Sequence, residues 1–167
     1  MLSLNRKLAL KMSVKLIFGA GGIGKGSISH NWTTPEQTNE LLSSLKNLGF
    51  EQLDSGASYP PGAPWVTETL LGQSKAAEKG FLIDSKIITF AMKDRDPKAP
   101  MGGHSLTEAN IDASIKKSFE LLGVEKVNIL HTNVPDPVTP IEESARAFDK
   151  HFRAGHFNEV SYFKNSY

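Results

Sequence analysis

The chain contains no cysteine. That excludes disulfide staples, thiolate nucleophiles and cysteine-ligated zinc, and it accords with a reducing compartment. A dominant charge is missing too: 19 Lys and Arg stand against 18 Asp and Glu, a formal net charge of +1. Such a balance gives no basic surface for nucleic acid or for an anionic membrane. No apolar run approaches the roughly 20 residues that span a bilayer, and "MLSLNRKLALK" has too short a hydrophobic centre for a secretory signal. What is present is ordinary. A chain of 167 residues, 39% hydrophobic and 22% charged, is expected to make one globular domain with a real core, cytoplasmic and without a nucleic-acid or membrane partner.

Acids are absent from the start of the chain, where Arg6, Lys7, Lys11, Lys15 and Lys25 all precede Glu36. A basic, acid-free leader has the composition of a mitochondrial transit peptide. Met12, immediately before the first strand-like run, offers a second start. Residues 1–13 therefore read as an N-terminal extension.

Strand-like runs alternate with helical patterns four times, the signature of βα units around a parallel sheet. "VKLIFGA" is the first strand. A helix follows from Pro35 to about Asn47, with Thr34 as cap, Gln37 completing a capping box and Leu41, Leu42 and Leu45 as its apolar stripe. "FEQLDSG" gives a second strand and leads into "SYPPGAPW", where three prolines and a glycine forbid regular structure. A second helix is expected over about Val66 to Glu78 and a third strand in "FLIDSKIITFAM". Ser105 is the expected cap of a helix from Leu106 that carries Ile111, Ile115, Phe119 and Leu122 on one face. "KVNILHTN" is the fourth strand, and Thr139 is expected to cap a fourth helix with Pro140 first. "HFNEVSYFKNSY" has the pattern of a fifth strand's beginning.

The strand exit "LIFGAGGIGKGS" imitates two phosphate-binding motifs. Gly19, Gly21 and Gly24 spell G-x-G-x-x-G, and Gly19 to Gly26 comes within one residue of a Walker loop. Both motifs open directly into a helix, whose N-terminal amides hold the phosphate. Here the helix waits until Pro35, Gly26 stands where a Walker loop needs Ser or Thr, and Asp54 comes too late for the ribose-binding acid. Two readings remain, a close-packed strand exit and a backbone left bare for a ligand.

Polar residues gather at or beyond the ends of successive strands: Asp54 and Tyr59 after the second, Lys86 in the third, His131 at the end of the fourth. A phenol is ordinarily a weak acid, with pKa near 10, and a neighbouring ammonium favours its ionised form. The histidines His30, His104, His151 and His156 show no metal-ligand spacing, so no metal site is expected. Trp32 and Trp65 fall in loops at the same end, where they suit either a pocket wall or loop packing.

Taken in order, these motifs resemble the aldo-keto reductase family. "LDSGASY" is similar to the family's Asp-Thr-Ala-x-x-Tyr, "IDSKI" to its strand lysine, "VNILH" to its strand ending in Leu-His, and "WVTETLLG" to its Ser-Glu-x-Leu-Leu-Gly. "LTEANIDASIKKSFELLGVEKVNIL" and "TPIEESARAFDKHFRAGHFNE" continue the likeness, which is greatest to aflatoxin-aldehyde-reductase-like and fungal branches. The resemblance implies a (β/α)8 TIM barrel and NADPH-dependent reduction of aldehydes or ketones to alcohols. It implies Tyr59 as proton donor, Lys86 as its tuner, Asp54 as the partner of Lys86, and His131 as the group that binds and orients the substrate carbonyl. Asp54, Gly21 and Gly22 would border the nicotinamide.

The resemblance runs from about Val14 to Glu159 and covers the N-terminal half of such a barrel, about four βα units. "NEVSYFKNSY" stands in place of the family's Leu-Gly-x-Ser-Asn, so residues 160–167 read as a divergent tail. The expectation is a truncated half barrel. It would leave an open side for a second copy of the chain, as a homodimer, or for a complementing chain. The alternative is a non-catalytic binding or regulatory relative, or a fragment of a full-length reductase. "HTNVPD" also separates His131 from Pro135-Asp136 by more than the family's His-x-Pro-Asp.

Overall fold

The computed structural model describes residues 14–26, 28, 30–88 and 106–162. The basic leader, the loop containing His104 and Ser105, and residues 163–167 lie outside them. Strand β1 (Ile17–Gly19) exits through a 3-10 turn over Ala20–Gly22 into a short antiparallel ribbon of β2 (Gly24–Lys25) and β3 (His30–Asn31). Then follow α1 (Pro35–Asn47), β4 (Gln52–Asp54), α2 (Val66–Gln73), β5 (Leu82–Lys86), α3 (Glu108–Leu122), β6 (Val127–His131), α4 (Ile141–Arg153) and β7 (Phe157–Ser161). β1, β4, β5, β6 and β7 form one sheet in that order, every neighbouring pair parallel. Spatial order therefore equals chain order, with a helix in each crossover, the winding of a βα barrel. Among the described residues no helix is long and apolar enough to cross a membrane.

The fifth strand was legible only as a beginning. It pairs in full with β6, from Val127 opposite Phe157 to His131 opposite Ser161, and so continues past Glu159. Among the described residues β1 is hydrogen-bonded only to β4 and β7 only to β6, which leaves both as sheet edges.

Alternation along the strands divides the sheet chemically. Leu53, Ile83 and Leu130 join Leu42, Leu45, Leu71, Ile111, Ile115, Ala147 and Phe148 in one hydrophobic cluster shared with the helices. Two rows near the C-terminal strand ends are polar instead: Asp54 pairs with Asp84, and Lys86 with His131. Helix packing sets the spacing of this layer. A Cβ at Gly72 of α2 would lie 1.9 Å from the Leu121 carbonyl oxygen of α3, so the two helices approach to backbone contact at that point.

Local chemistry fixes the helix ends. The Thr34 hydroxyl accepts from the Gln37 N–H at 3.3 Å, while Gln37 Oε1 accepts from the Thr33 N–H at 2.8 Å. The box thus closes one residue earlier than its usual reciprocal form. Thr34→Ala is expected to cost about 1 kcal/mol, read as a lower urea midpoint at unchanged slope. Helix α3 is capped by Thr107 rather than Ser105, the hydroxyl accepting from Asn110 N–H. Helix α4 begins at Ile141 with Pro140 as cap. Thr139 does not cap it, because Asp136 captures the Thr139 hydroxyl at 2.6 Å and its N–H at 3.0 Å. Helix α2 stops at Gln73, short of Glu78, where Lys75 adopts φ 54° and the chain turns through to Gly80.

Candidate active site

Parallel strands deliver their C-terminal residues to one end of the sheet. Asp54 closes β4, Lys86 closes β5 and His131 closes β6. Lys86 and His131 are register partners, so the longer "HTNVPD" interval leaves His131 beside Lys86. Tyr59 reaches the same end from the proline-rich loop. Its N–H donates to Gly56 O at 3.0 Å, and the loop is fastened by Trp65 N–H to Ala57 O at 2.8 Å and Thr67 N–H to Tyr59 O at 3.2 Å. Thr67 Oγ1 ties it to the first strand exit by donating to Ile23 O at 2.8 Å.

At the centre is the Lys86 ammonium. It is ion-paired with Asp54, donates to Ser55 O at 2.8 Å, and sits 5.0 Å from the centroid of the Tyr59 ring. The lysine side chain is 11% exposed and the aspartate 36%, so the pair is only partly screened. Burial and the Lys86 charge hold the His131 imidazole below its ordinary value, against the opposing charges of Asp54 and Asp84. His131 is therefore neutral at pH 7, and a neutral imidazole donates a hydrogen bond without adding charge.

Asp84 is the residue that sequence reasoning passed over, although its two-residue spacing from Lys86 places both on one face of β5. It is buried, with Oδ2 accepting from Gln52 at 2.6 Å and Oδ1 accepting from Asn128 Nδ2 at 2.9 Å and Ile129 N–H at 3.2 Å. Ligand atoms of Asp54, Asp84 and His131 lie within 4.8 Å of one another, close enough to surround a cation. The cationic role there is filled by Lys86, and the Asp84 oxygens are committed to their donors.

Glu68 of α2 was visible only as part of "TETLLG". It is fully buried, and Oε1 accepts from the hydroxyl of Ser85, the residue before Lys86, at 2.6 Å. Burial pushes its carboxyl up to about 7, against the hydroxyls of Ser85 and Ser118 and the charge of Lys86. The native state thus keeps a proton that the unfolded chain releases near 4.5. Stability contributed by this proton is full below that value and is lost as pH rises to about 7, by on the order of 3 kcal/mol. Urea unfolding of the wild type and of Glu68→Gln is expected to diverge by that amount between pH 5 and 8, with the glutamine variant relatively more stable at the higher pH. A constant difference would show that Glu68 is ionised throughout.

The glycine-rich exit does pack closely. At φ 100°, Gly24 has no room for a Cβ, which would meet Val66 Cγ1 at 2.6 Å. Gly21 lies over the Tyr59 ring, 3.5 Å from Cδ2 and Cε2 to where a Cβ would be. Gly21 and Gly22 are half-buried within the 3-10 turn, adjoining the phenol. Trp32 packs edge-on against Phe18, with ring centroids 6.4 Å apart. Trp65 precedes α2 at φ 72°, a left-handed conformation that costs a non-glycine residue of order 1 kcal/mol and is held by the surrounding loop.

A sequential parallel sheet with helical crossovers, its polar cluster gathered at the C-terminal strand ends, defines this as a protein of the (β/α)8 barrel class. The sequence model of the Aldo/keto reductase family matches residues 15–162. The chain belongs to that family. It is 27% identical over 119 residues to an aldo-keto reductase of Pseudocercospora fijiensis, covering 71% of this chain and 37% of that protein. It is 23% identical over 163 residues to 6-dehydroglucose reductase of Agrobacterium fabrum, covering 95% of this chain and 52% of that one. The chain thus spans about half the length of these relatives, or less. Among solved structures, the holo form of an aldo-keto reductase from Bacillus halodurans superposes with a TM-score of 0.66 at 17% identity, over 89% of this chain and 46% of that one. A thermostable aldo-keto reductase solved with the inhibitor epalrestat gives 0.68 at 20% identity, over 92% and 51%. The five strands and four helices correspond to about half of that barrel.

Proposed function

We propose that this chain supplies the proton-donating half of an NADPH-dependent reductase of aldehydes or ketones. The observation that carries the reading is the Lys86 ammonium, bound to Asp54 and poised against Tyr59, with His131 beside it in register. The donor set fits a nicotinamide partner because it contains an acid, a cation and a neutral hydrogen-bond donor but no source of hydride. A reduced nicotinamide supplies that hydride when bound, and Asp54, Gly21 and Gly22 are the residues that would border it.

The remaining steps belong to the protein. His131 donates to the carbonyl oxygen and fixes its direction, raising the carbon's electrophilicity. Tyr59 gives its phenolic proton to that oxygen as the carbon is reduced, which leaves an alcohol and a phenolate. Lys86 stabilises the phenolate by its charge, and Asp54 keeps the ammonium in place. Solvent returns the proton to Tyr59. Titration with NADPH, followed by nicotinamide fluorescence and then by turnover of a simple aldehyde, tests the reading. Saturable binding with aldehyde-dependent oxidation is expected. Absence of binding at millimolar NADPH would overturn it.

The strands β1 and β7, each with one neighbour among the described residues, favour a second reading. In it the polar face is completed by another copy of the chain or by a complementing chain, and the protein binds or regulates rather than reduces. Light scattering coupled to size exclusion distinguishes the cases, since a homodimer doubles the monomer mass of 18.2 kDa.

A further inference from the structure

A second polar cluster lies at the opposite end of the sheet from Lys86, where α4 runs out and β7 begins. His151 on the last turn of α4 is buried, and it meets His156, immediately before β7, Nδ1 to Nδ1 at 2.7 Å. The far side of His151 is held as well. Its Nε2 lies 2.7 Å from Asp112 Oδ1 of α3. His156 stands edge-on to Phe119, with ring centroids 5.4 Å apart at 85°. An open cavity of about 820 Å³ adjoins the pair, with both histidines, Asp112, Glu120 and Glu125 in its walls.

Two imidazole nitrogens this close share either one proton or one cation. An ionised Asp112 only accepts, so the proton of a neutral His151 is on Nε2 and its Nδ1 lone pair points at His156. A ring nitrogen facing a metal, with the other N–H on a carboxylate, is how metal-ligating histidines are held. The hydrogen bond between the two rings is then donated by His156 Nδ1. The charge of neighbouring Lys150 is met by Glu108 and Asp112 at 2.7 Å each.

We propose that His151 and His156 bind one divalent transition-metal ion of the zinc class through their Nδ1 atoms, with Asp112 orienting His151 and cavity water completing the coordination. Zinc lies about 2.0–2.1 Å from imidazole nitrogen in a tetrahedral site, which sets two such ligands about 3.3 Å apart. The pair therefore opens by roughly 0.6 Å from its present separation. The Nδ1 proton of His156 moves to its Nε2, so both rings bind as neutral ligands with no net proton release. The ion would pin the end of α4 to the start of β7 and, through Asp112, to α3. That end of a βα barrel serves stability rather than chemistry, so the ion is structural.

The probe is zinc alone, titrated into the metal-free full chain by calorimetry at neutral pH. One ion per chain is expected. His156→Ala and His151→Ala should remove it, Asp112→Asn should weaken it by about tenfold to a hundredfold, and His131→Ala at the far end should retain it. Circular dichroism checks that each variant is folded. On the unmodified chain, zinc should shift the imidazole nitrogen signals of His151 and His156 in NMR spectra and leave those of the other histidines in place. No binding at millimolar zinc, binding that survives His156→Ala, or binding lost only in His131→Ala would overturn the proposal.

Discussion

Tyr59→Phe is expected to lower aldehyde turnover by about a thousandfold, within the range that a positioned acid contributes, while NADPH affinity stays within about twofold. The asymmetry follows from where the phenol stands. The Phe ring keeps the contact with Gly21 and the place beneath the Lys86 ammonium, 5.0 Å from the ring centroid. Only the hydroxyl is removed, and with it the proton delivered to the carbonyl oxygen. Steady-state kinetics together with cofactor titration separate the two effects. Equal turnover in the variant would remove Tyr59 from the acid's role, and a parallel loss of NADPH binding would make it a structural residue.

The second large effect concerns folding. Gly72 sits in the last turn of α2, and on an isolated helix Gly→Ala would gain about 1 kcal/mol in propensity. In this protein the sign is expected to reverse. The new Cβ would fall 1.9 Å from Leu121 O and 2.9 Å from the carbonyl carbon, and backbone cannot swing aside as a side chain can. Helices α2 and α3 would have to separate, which disturbs the cluster in which Leu70 and Leu71 meet Leu122 and Ile115. A net loss of about 3 kcal/mol is expected for Gly72→Ala and a larger one for Gly72→Val, a sizeable part of the stability of an ordinary domain. Urea denaturation reads it directly. A stabilised alanine variant would refute the backbone contact.

That contact also shows where the sequence was legible. Gly72 belongs to "WVTETLLG", which was read as part of a helix and as a family likeness but not as a packing contact, because a close approach between helices leaves no periodic signal in either of them. Strand and helix order was readable, since apolar runs and caps are local, and Thr34 capped α1 where expected. The ends of α2, α3 and α4 were less so. Thr107 competed with Ser105 for the same role, and Asp136, three residues upstream in the chain, took the hydroxyl of Thr139. At the site, Asp54, Lys86 and His131 were singled out because they fall in or just beyond strand-like runs, and the structure gathers them at one end of the sheet. Asp84 and Glu68 were not, since a buried carboxyl becomes conspicuous only when its donors, Gln52, Asn128 and Ser85, are brought from other strands. The link from Asp112 through His151 to His156 escaped for the same reason: Asp112 lies 39 positions from His151.

The agreement between sheet order and chain order bears on how the protein is made. Each strand of the five-stranded sheet pairs with the sheet strand synthesised just before it, so every new βα unit can dock on a surface already formed. Asp54, Tyr59 and Lys86 meet when β5 docks on β4, and β6 brings His131 to Lys86. All four residues of the reactive cluster therefore lie at or before position 131, ahead of β7 in the chain. The cluster is drawn wholly from the earlier-synthesised strands and loops of the sheet, and β7 contributes none of its four residues.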